Sequence, residues 1–328
     1  MNRRQVSTSM TRRQILRAAG AGAAAITLPA LPAIAAERTA PDLRARARKN
    51  LTLGIFTSVY ADLPLEEAAK RIRQDGFSCV VFDYRFKDVA FDPLRPDWDV
   101  LQKITACLER NDIRIAGLYG YYNVIDPDPA KRRRGEERMD LLIRNWKRFG
   151  CPIISTETGT YNTQSEFMES PENFTEKGYA ACRAAFEKLV GAAEKTRAVI
   201  AIETYWRNVI CSVDRTAQLF RDINSPSLKL TMDPCNYFRN EDLPKMKPML
   251  EEIFQRVGRQ TVLAHAKDVK RSEKGPDLPA AGLGELDYPL YLRLLAQLDR
   301  PLDLVIEHLG IQDVARARDY VKAQMEKI

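Results

Sequence analysis

Histidine is scarce in this chain: 328 residues carry two, His265 and His308. A centre built from several imidazoles is therefore excluded. Long hydrophobic runs are missing as well. The mainly apolar stretch from Ala18 to Leu31 is 14 residues long, short of the ~20 that span a bilayer, and nothing later reaches that length, so no stable membrane anchor is expected. The six cysteines, at 79, 107, 151, 182, 211 and 235, show neither Cys-x-x-Cys spacing nor clustering, which argues against a zinc ribbon or a redox pair and for buried thiols. Low-complexity linkers are absent too.

An excess of charge is absent once the N-terminus is set aside. Thr11-Arg-Arg-Gln-Ile-Leu-Arg17, followed by the apolar run, reads as a twin-arginine export signal, and Ala33-Ile34-Ala35 offers the small residues of a cleavage site. We expect cleavage after Ala35, giving a leader at 1–35, a linker at 36–50 and one domain at 51–328, with the twin-arginine translocase as a transient partner and a periplasmic location. Five of the 51 basic residues (Arg3, Arg4, Arg12, Arg13 and Arg17) lie in that leader, leaving 46 against 44 acidic residues, a mature charge of +2. Such a chain has no basic footprint for nucleic acid. The cluster Lys131-Arg-Arg-Arg-Gly-Glu-Glu-Arg138 opens a helix and reads as a solvated face.

From Leu51 onward, short apolar runs alternate with longer stretches of helical periodicity, the pattern of a parallel sheet with crossover helices. Eight rounds are countable. Strands are expected near 51–57, 78–83, 113–118, 152–157, 199–203, 228–233, 261–265 and 304–307. An open doubly wound sheet would usually carry a glycine-rich phosphate turn after its first strand, and Phe56-Thr-Ser-Val-Tyr60 has none. The fold class expected is α/β, a (β/α)8 barrel, whose ~250 residues fit the interval available.

Four of the runs close on ligand-type residues: Val199-Ile-Ala-Ile-Glu203, Leu228-Lys-Leu-Thr-Met-Asp233, Thr261-Val-Leu-Ala-His265 and Leu304-Val-Ile-Glu307. In a barrel of this kind the C-terminal strand ends share one mouth. Glu203, Asp233, His265 and Glu307 would converge there, and three carboxylates so placed repel one another unless a cation holds them. The oxygen-rich set suits one hard or borderline divalent ion. Mn2+ is the first expectation, with Mg2+, Co2+ and Zn2+ compatible.

These residues resemble a known family, the xylose isomerase-like TIM barrels described as sugar phosphate isomerases/epimerases, which include ketose 3-epimerases and inosose dehydratases. The resemblance rests on Ile202-Glu-Thr204, Met232-Asp-Pro-Cys-Asn236, His265-Ala-Lys-Asp268, Gly282-Leu-Gly-Glu-Leu-Asp287 and Ile306-Glu307, and implies that Glu203, Asp233, His265 and Glu307 are the metal ligands. It also shows a departure. Ketose epimerases of this type usually carry a histidine where this chain has Asn236, and an amide can hydrogen-bond a hydroxyl but cannot serve as an acid or base near neutral pH.

The ligand set and the resemblance together imply proton transfer next to a carbonyl, through an enediolate, with Glu203 and Glu307 as base and acid. Lys267, Asn236, Glu157, Arg207, Trp206 and Tyr121 lie at strand exits and are the expected substrate contacts. His308 follows Glu307 directly, so alternation turns it away from the mouth. Three functions fit: a sugar or cyclitol isomerase/epimerase, a lyase or hydrolase on oxidised (3-keto) glycosides, and a non-catalytic periplasmic sugar-binding protein. A nuclease of the endonuclease branch of this fold needs more histidines and more positive charge. Homo-oligomerisation is left open.

Overall fold

The computed structural model describes residues 40–328. The expected export signal and its cleavage site lie outside the described residues. Residues 40–50, read from sequence as linker, form helix α1 (Ala40–Asn50). Its alanine and arginine content favours helix, and Leu43 and Ala47, one turn apart, are buried.

Eight strands follow: β1 (Leu51–Phe56), β2 (Cys79–Phe82), β3 (Arg114–Tyr119), β4 (Ile153–Glu157), β5 (Val199–Glu203), β6 (Leu228–Met232), β7 (Thr261–Ala266) and β8 (Leu302–Ile306). Each pairs in parallel with the next, and β8 closes on β1 through Leu51↔Leu302 to Ile55↔Ile306. Helices α2 (Leu65–Gln74), α3 (Trp98–Arg110), α4 (Pro129–Phe149), α5 (Glu176–Thr196), α6 (Val213–Ile223), α7 (Met246–Val257), α8 (Tyr288–Gln297) and α9 (Val314–Met325) follow the strands in turn. No helix among the described residues is long and apolar enough to cross a membrane.

Sequence chemistry sets these boundaries. Asp97, Asp128, Thr175, Ser212 and Asp287 each accept backbone N–H groups at the start of α3, α4, α5, α6 and α8, satisfying donors that the first turn leaves free. Gly150 ends α4 at φ 73°, a left-handed conformation that costs glycine least. The strands are buried on both faces, so they read as continuous apolar runs rather than as alternating ones.

The inside of the barrel is layered. At the bottom, Arg114 forms an ion pair with Asp303, beside Cys79. Above lies a small apolar cluster of Phe56, Cys79, Val81, Ala116, Leu263 and Val305. Next to it Ser155 and Thr231 share a buried hydrogen bond of 2.9 Å. All six cysteines are free thiols, as their spacing suggested.

The exit loops are tied together by amides that left no sequence signal. Asn123 donates to the Thr160 carbonyl at 2.7 Å and accepts from the Thr160 and Ile125 amides. Asn173 donates to Thr160 Oγ1 and to the Arg207 carbonyl, both at 2.8 Å. The loops after β3, β4 and β5 are thereby fixed to one another by hydrogen bonds.

Candidate metal centre at the barrel mouth

The four ligand-type residues meet. Glu203 ends β5, Asp233 directly follows β6, His265 is the fifth residue of β7, and Glu307 directly follows β8. One donor atom from each lies within 4.8 Å of all the others. His265 is 1% exposed, Asp233 1% and Glu203 6%.

The surroundings of the His265 ring bear on what such a cluster could hold. Its Nδ1 lies 3.4 Å from Glu307 Oε2, 3.5 Å from Glu203 Oε1 and 3.8 Å from Asp233 Oδ2. Both ring nitrogens are buried without a hydrogen-bond partner. Three carboxylates thus surround a nitrogen too loosely for good hydrogen bonds. Co-ligands of one ion, each ~2.0–2.2 Å from it, have separations of this size. The donor set therefore fits a single divalent cation.

Electrostatics point the same way. Burial opposes charge on His265, but the carboxylates of Glu307 and Glu203 outweigh it and raise the imidazole well above its ordinary range. Burial likewise works against ionised Glu203, yet His265 and Lys267 hold its carboxyl below the usual carboxylate range. Asp233 is depressed in the same way, with Lys267 and His265 overcoming its burial. Glu203 and Asp233 stay ionised this deep because positive charge sits beside them.

Neighbouring groups fix these side chains. Asn236 Nδ2 donates to Glu203 Oε1 at 2.7 Å, and the Tyr121 hydroxyl donates to Glu203 Oε2. Asp233 Oδ1 accepts the Cys235 amide at 3.1 Å, leaving Oδ2 toward the cluster. Behind the strands, the Tyr291 hydroxyl donates to the His265 carbonyl at 2.9 Å, and the Tyr288 hydroxyl donates to the Lys267 carbonyl at 2.7 Å. These two tyrosines, one turn apart on α8, were not singled out from sequence. Their spacing on one buried face was the signal available.

The expected substrate contacts take differing positions. Lys267 is buried, with Nζ 2.7 Å from Asp233 Oδ2 and 2.9 Å from Glu307 Oε1. Asn236 and Tyr121 hold Glu203, as described. Arg207 stacks on Trp206 at 4.3 Å and donates to the carbonyls of Phe167 and Lys274, tying the loop after β4 to the loop after β7. Trp206 is buried, with Arg239 on it at 4.9 Å. His308 is exposed, but its Nε2 comes within 3.8 Å of Glu307 Oε1, nearer than strand alternation suggested. Its positive φ of 58° shows that the extended strand has ended there.

Glu157 ends β4, in register with Glu203, and is half-buried. Burial, with the carboxylates of Glu203 and Glu166 adding to it, pushes the Glu157 carboxyl up to about 8. A folded-state value above the ordinary one means that folding favours the protonated acid, so ionisation weakens the fold increasingly from about pH 4.5 up to about pH 8. In metal-free protein, Glu157→Gln is therefore expected to match wild type in stability near pH 4.5 and to exceed it by roughly 1–3 kcal/mol at pH 8. Urea unfolding at the two pH values measures the difference, and an equal gap at both would contradict it.

Asp268, next to Lys267, is fully buried and organises the loop after β7. Its oxygens accept the amides of Val269, Gly282 and Leu286, each at 2.9 Å. Gly284 lies so close that a Cβ there would sit 2.5 Å from Asp268 Oδ1. Asp268→Ala leaves three backbone donors unpaired, two of them buried, and is expected to cost ~2–4 kcal/mol, read as a lower Tm and earlier proteolysis within 267–287.

A model of the xylose isomerase-like TIM barrel family matches residues 69–325. Solved structures are similar over the length of the barrel. A xylose isomerase-like TIM barrel protein from Mycobacterium smegmatis, in complex with magnesium, superposes with TM-score 0.62 at 13% identity, covering 85% of this chain and 97% of that one. The 3-keto-D-glucoside 4-epimerase of E. coli gives TM-score 0.60 at 14% identity, with 85% and 100% covered. The D-allulose 3-epimerase of Methylomonas sp., in complex with D-allulose, gives 0.59 at 16%, with 84% and 97% covered. At these identities the likeness is one of fold. No curated protein matches by sequence. The family match, the closed eight-stranded barrel and the donor set at its mouth agree: the chain belongs to the xylose isomerase-like TIM barrel family.

Proposed function

We propose that this protein is a divalent-metal-dependent isomerase or epimerase of an unphosphorylated sugar or cyclitol, acting by proton transfer next to a carbonyl. The observation that carries the reading is the buried His265 Nδ1, without a hydrogen bond and ringed by three carboxylates. Glu203, Asp233, His265 and Glu307 would hold the ion, and Mn2+ is proposed ahead of Mg2+, the ion named for the mycobacterial structure. When bound, a divalent cation supplies Lewis-acid polarisation of a substrate carbonyl oxygen.

The protein's own groups do the rest. Glu203 and Glu307 come from strands on different sides of the mouth, and a substrate seated over the donors lies between them. They are proposed to move the proton, one removing it and the other returning it to the opposite face. Tyr121 and Asn236 keep the Glu203 carboxylate in one orientation, so the reacting geometry exists before substrate arrives. The Arg207 tie between two exit loops limits the mouth's freedom and would help exclude water.

Glycosides oxidised at C3 are a second substrate class, supported by the name of the E. coli neighbour. On these, the same proton removal next to the carbonyl can expel a β-substituent, a lyase outcome. The twin-arginine sequence at Arg12-Arg13 supports export as a folded protein and a periplasmic substrate pool.

The test is incubation of Mn2+-loaded protein with a panel of ketoses and 3-keto-glycosides in deuterated water, followed by NMR. Incorporation of deuterium at a carbon next to the carbonyl is expected, with a stereoisomer as product. A cleaved fragment would select the lyase reading. Binding with no exchange would select a sugar-binding protein.

A further inference from the structure

Lys267 places an ammonium group inside the donor cluster, where no substrate is needed to explain it. The residue is 3% exposed, and its Nζ is 2.7 Å from Asp233 Oδ2 and 2.9 Å from Glu307 Oε1. Neither oxygen has a hydrogen bond of ordinary geometry, so the contact is an ion pair that fixes position through charge. The lysine cannot swing away with its backbone. Its carbonyl accepts the Tyr288 hydroxyl at 2.7 Å and the Cys235 thiol, and it bridges to Ala280 in the loop after β7.

Charge makes the arrangement consequential. Glu203, Asp233 and Glu307 bring three negative charges to one buried point. A divalent cation would leave one uncompensated, and Lys267 cancels it. Without the cation, Lys267 is the one lysine or arginine among the described residues paired with any of the three carboxylates. Like charges repel strongly in a poorly solvated site, so the same ammonium must also oppose the incoming ion.

We propose that Lys267 is a positioning residue with two linked effects: it holds Asp233 and Glu307 in the ligating arrangement when no ion is bound, and it weakens the site's affinity for divalent cations. The inference rests on the reading that the four donors hold such an ion. It predicts an uncommon sign. Removing a side chain that touches two ligands should tighten metal binding, whereas loss of a packing or substrate-binding group would weaken it or leave it unchanged.

The experiment is calorimetric titration of metal-free wild type and Lys267→Met with Mn2+ at pH 8, where protons compete least for carboxylates, with melting curves of each protein alone and loaded. The variant is expected to bind Mn2+ at least 10-fold more tightly, to melt several degrees lower when metal-free, and to recover most of that loss on loading. Affinity equal to or below that of wild type overturns the proposal while leaving the metal site intact. No Mn2+ binding by wild type at millimolar concentration overturns the site reading and this inference with it. If metal-free Lys267→Met does not fold, it and Lys267→Gln are refolded with and without Mn2+. Recovery only with Mn2+ supports the proposal, and failure of both variants under both conditions overturns it.

Discussion

Glu203→Gln is expected to lower the rate of solvent-hydrogen exchange into substrate by 10²–10⁴-fold, the range for loss of a general acid–base group. The expected effect is large because Glu203 is proposed both to ligate the ion and to carry the proton. The variant should nevertheless fold. Glutamine keeps the shape of the side chain, and its amide can meet a rotated Asn236, whose Oδ1 is buried without a partner. Tyr121 can still donate to the remaining oxygen. Mn2+ binding should weaken by about tenfold, ~1.4 kcal/mol, since one anionic donor becomes neutral. The exchange assay is therefore run at saturating Mn2+, so that lost chemistry is separated from lost metal. Wild-type exchange in the saturated variant would remove Glu203 from the proton path.

Removing the metal is expected to have the second large effect. Dialysis against a chelator should abolish exchange and lower Tm, and Mn2+ should restore both. An ion present at 100 times its dissociation constant adds ~2.7 kcal/mol to the folded state, or about 4–5 °C in a chain of this size. The pH dependence has a defined sign. In the metal-free protein the carboxylates of Glu307 and Glu203 overcome burial and raise the His265 imidazole, so it carries a proton above its ordinary pKa. A metal ligand must be unprotonated, so binding releases that proton and apparent affinity climbs as pH rises through the ordinary histidine range and beyond. Titrations at pH 6, 7 and 8 measure the slope. Affinity independent of pH would mean that His265 is not a ligand.

The barrel was legible because its signals are local and periodic. Strands buried on both faces appear as apolar runs, helices appear as longer stretches of helical periodicity, and a carboxylate or imidazole at the end of four successive runs stands out from its apolar neighbours. The missed features are those in which a side chain acts across the fold. Asn123 and Asn173 sit in loops of ordinary composition, and only the closed ring brings Thr160 and Arg207 to them. Tyr288 and Tyr291 read as the apolar face of a helix until their hydroxyls are seen behind the ligand strands.

Distances also place the expected contact residues. Lys267 was expected among the substrate contacts, and its Nζ lies against Asp233 and Glu307. Asn236 was expected to contact substrate, and it donates an N–H to Glu203. Arg207 reaches two loop carbonyls, a role that no spacing reveals. Residues 40–50, read as linker, carry helix-favouring alanine and arginine, and the burial of Leu43 and Ala47 packs the helix in place.

Diffraction from Mn2+-soaked crystals at the manganese edge tests the four-donor site most directly. One anomalous peak per chain is expected, within ~2.2 Å of Glu203, Asp233, His265 and Glu307, and absent from His265→Ala crystals. A peak elsewhere, or none at the barrel mouth at saturating Mn2+, would contradict the site and the chemistry proposed for it.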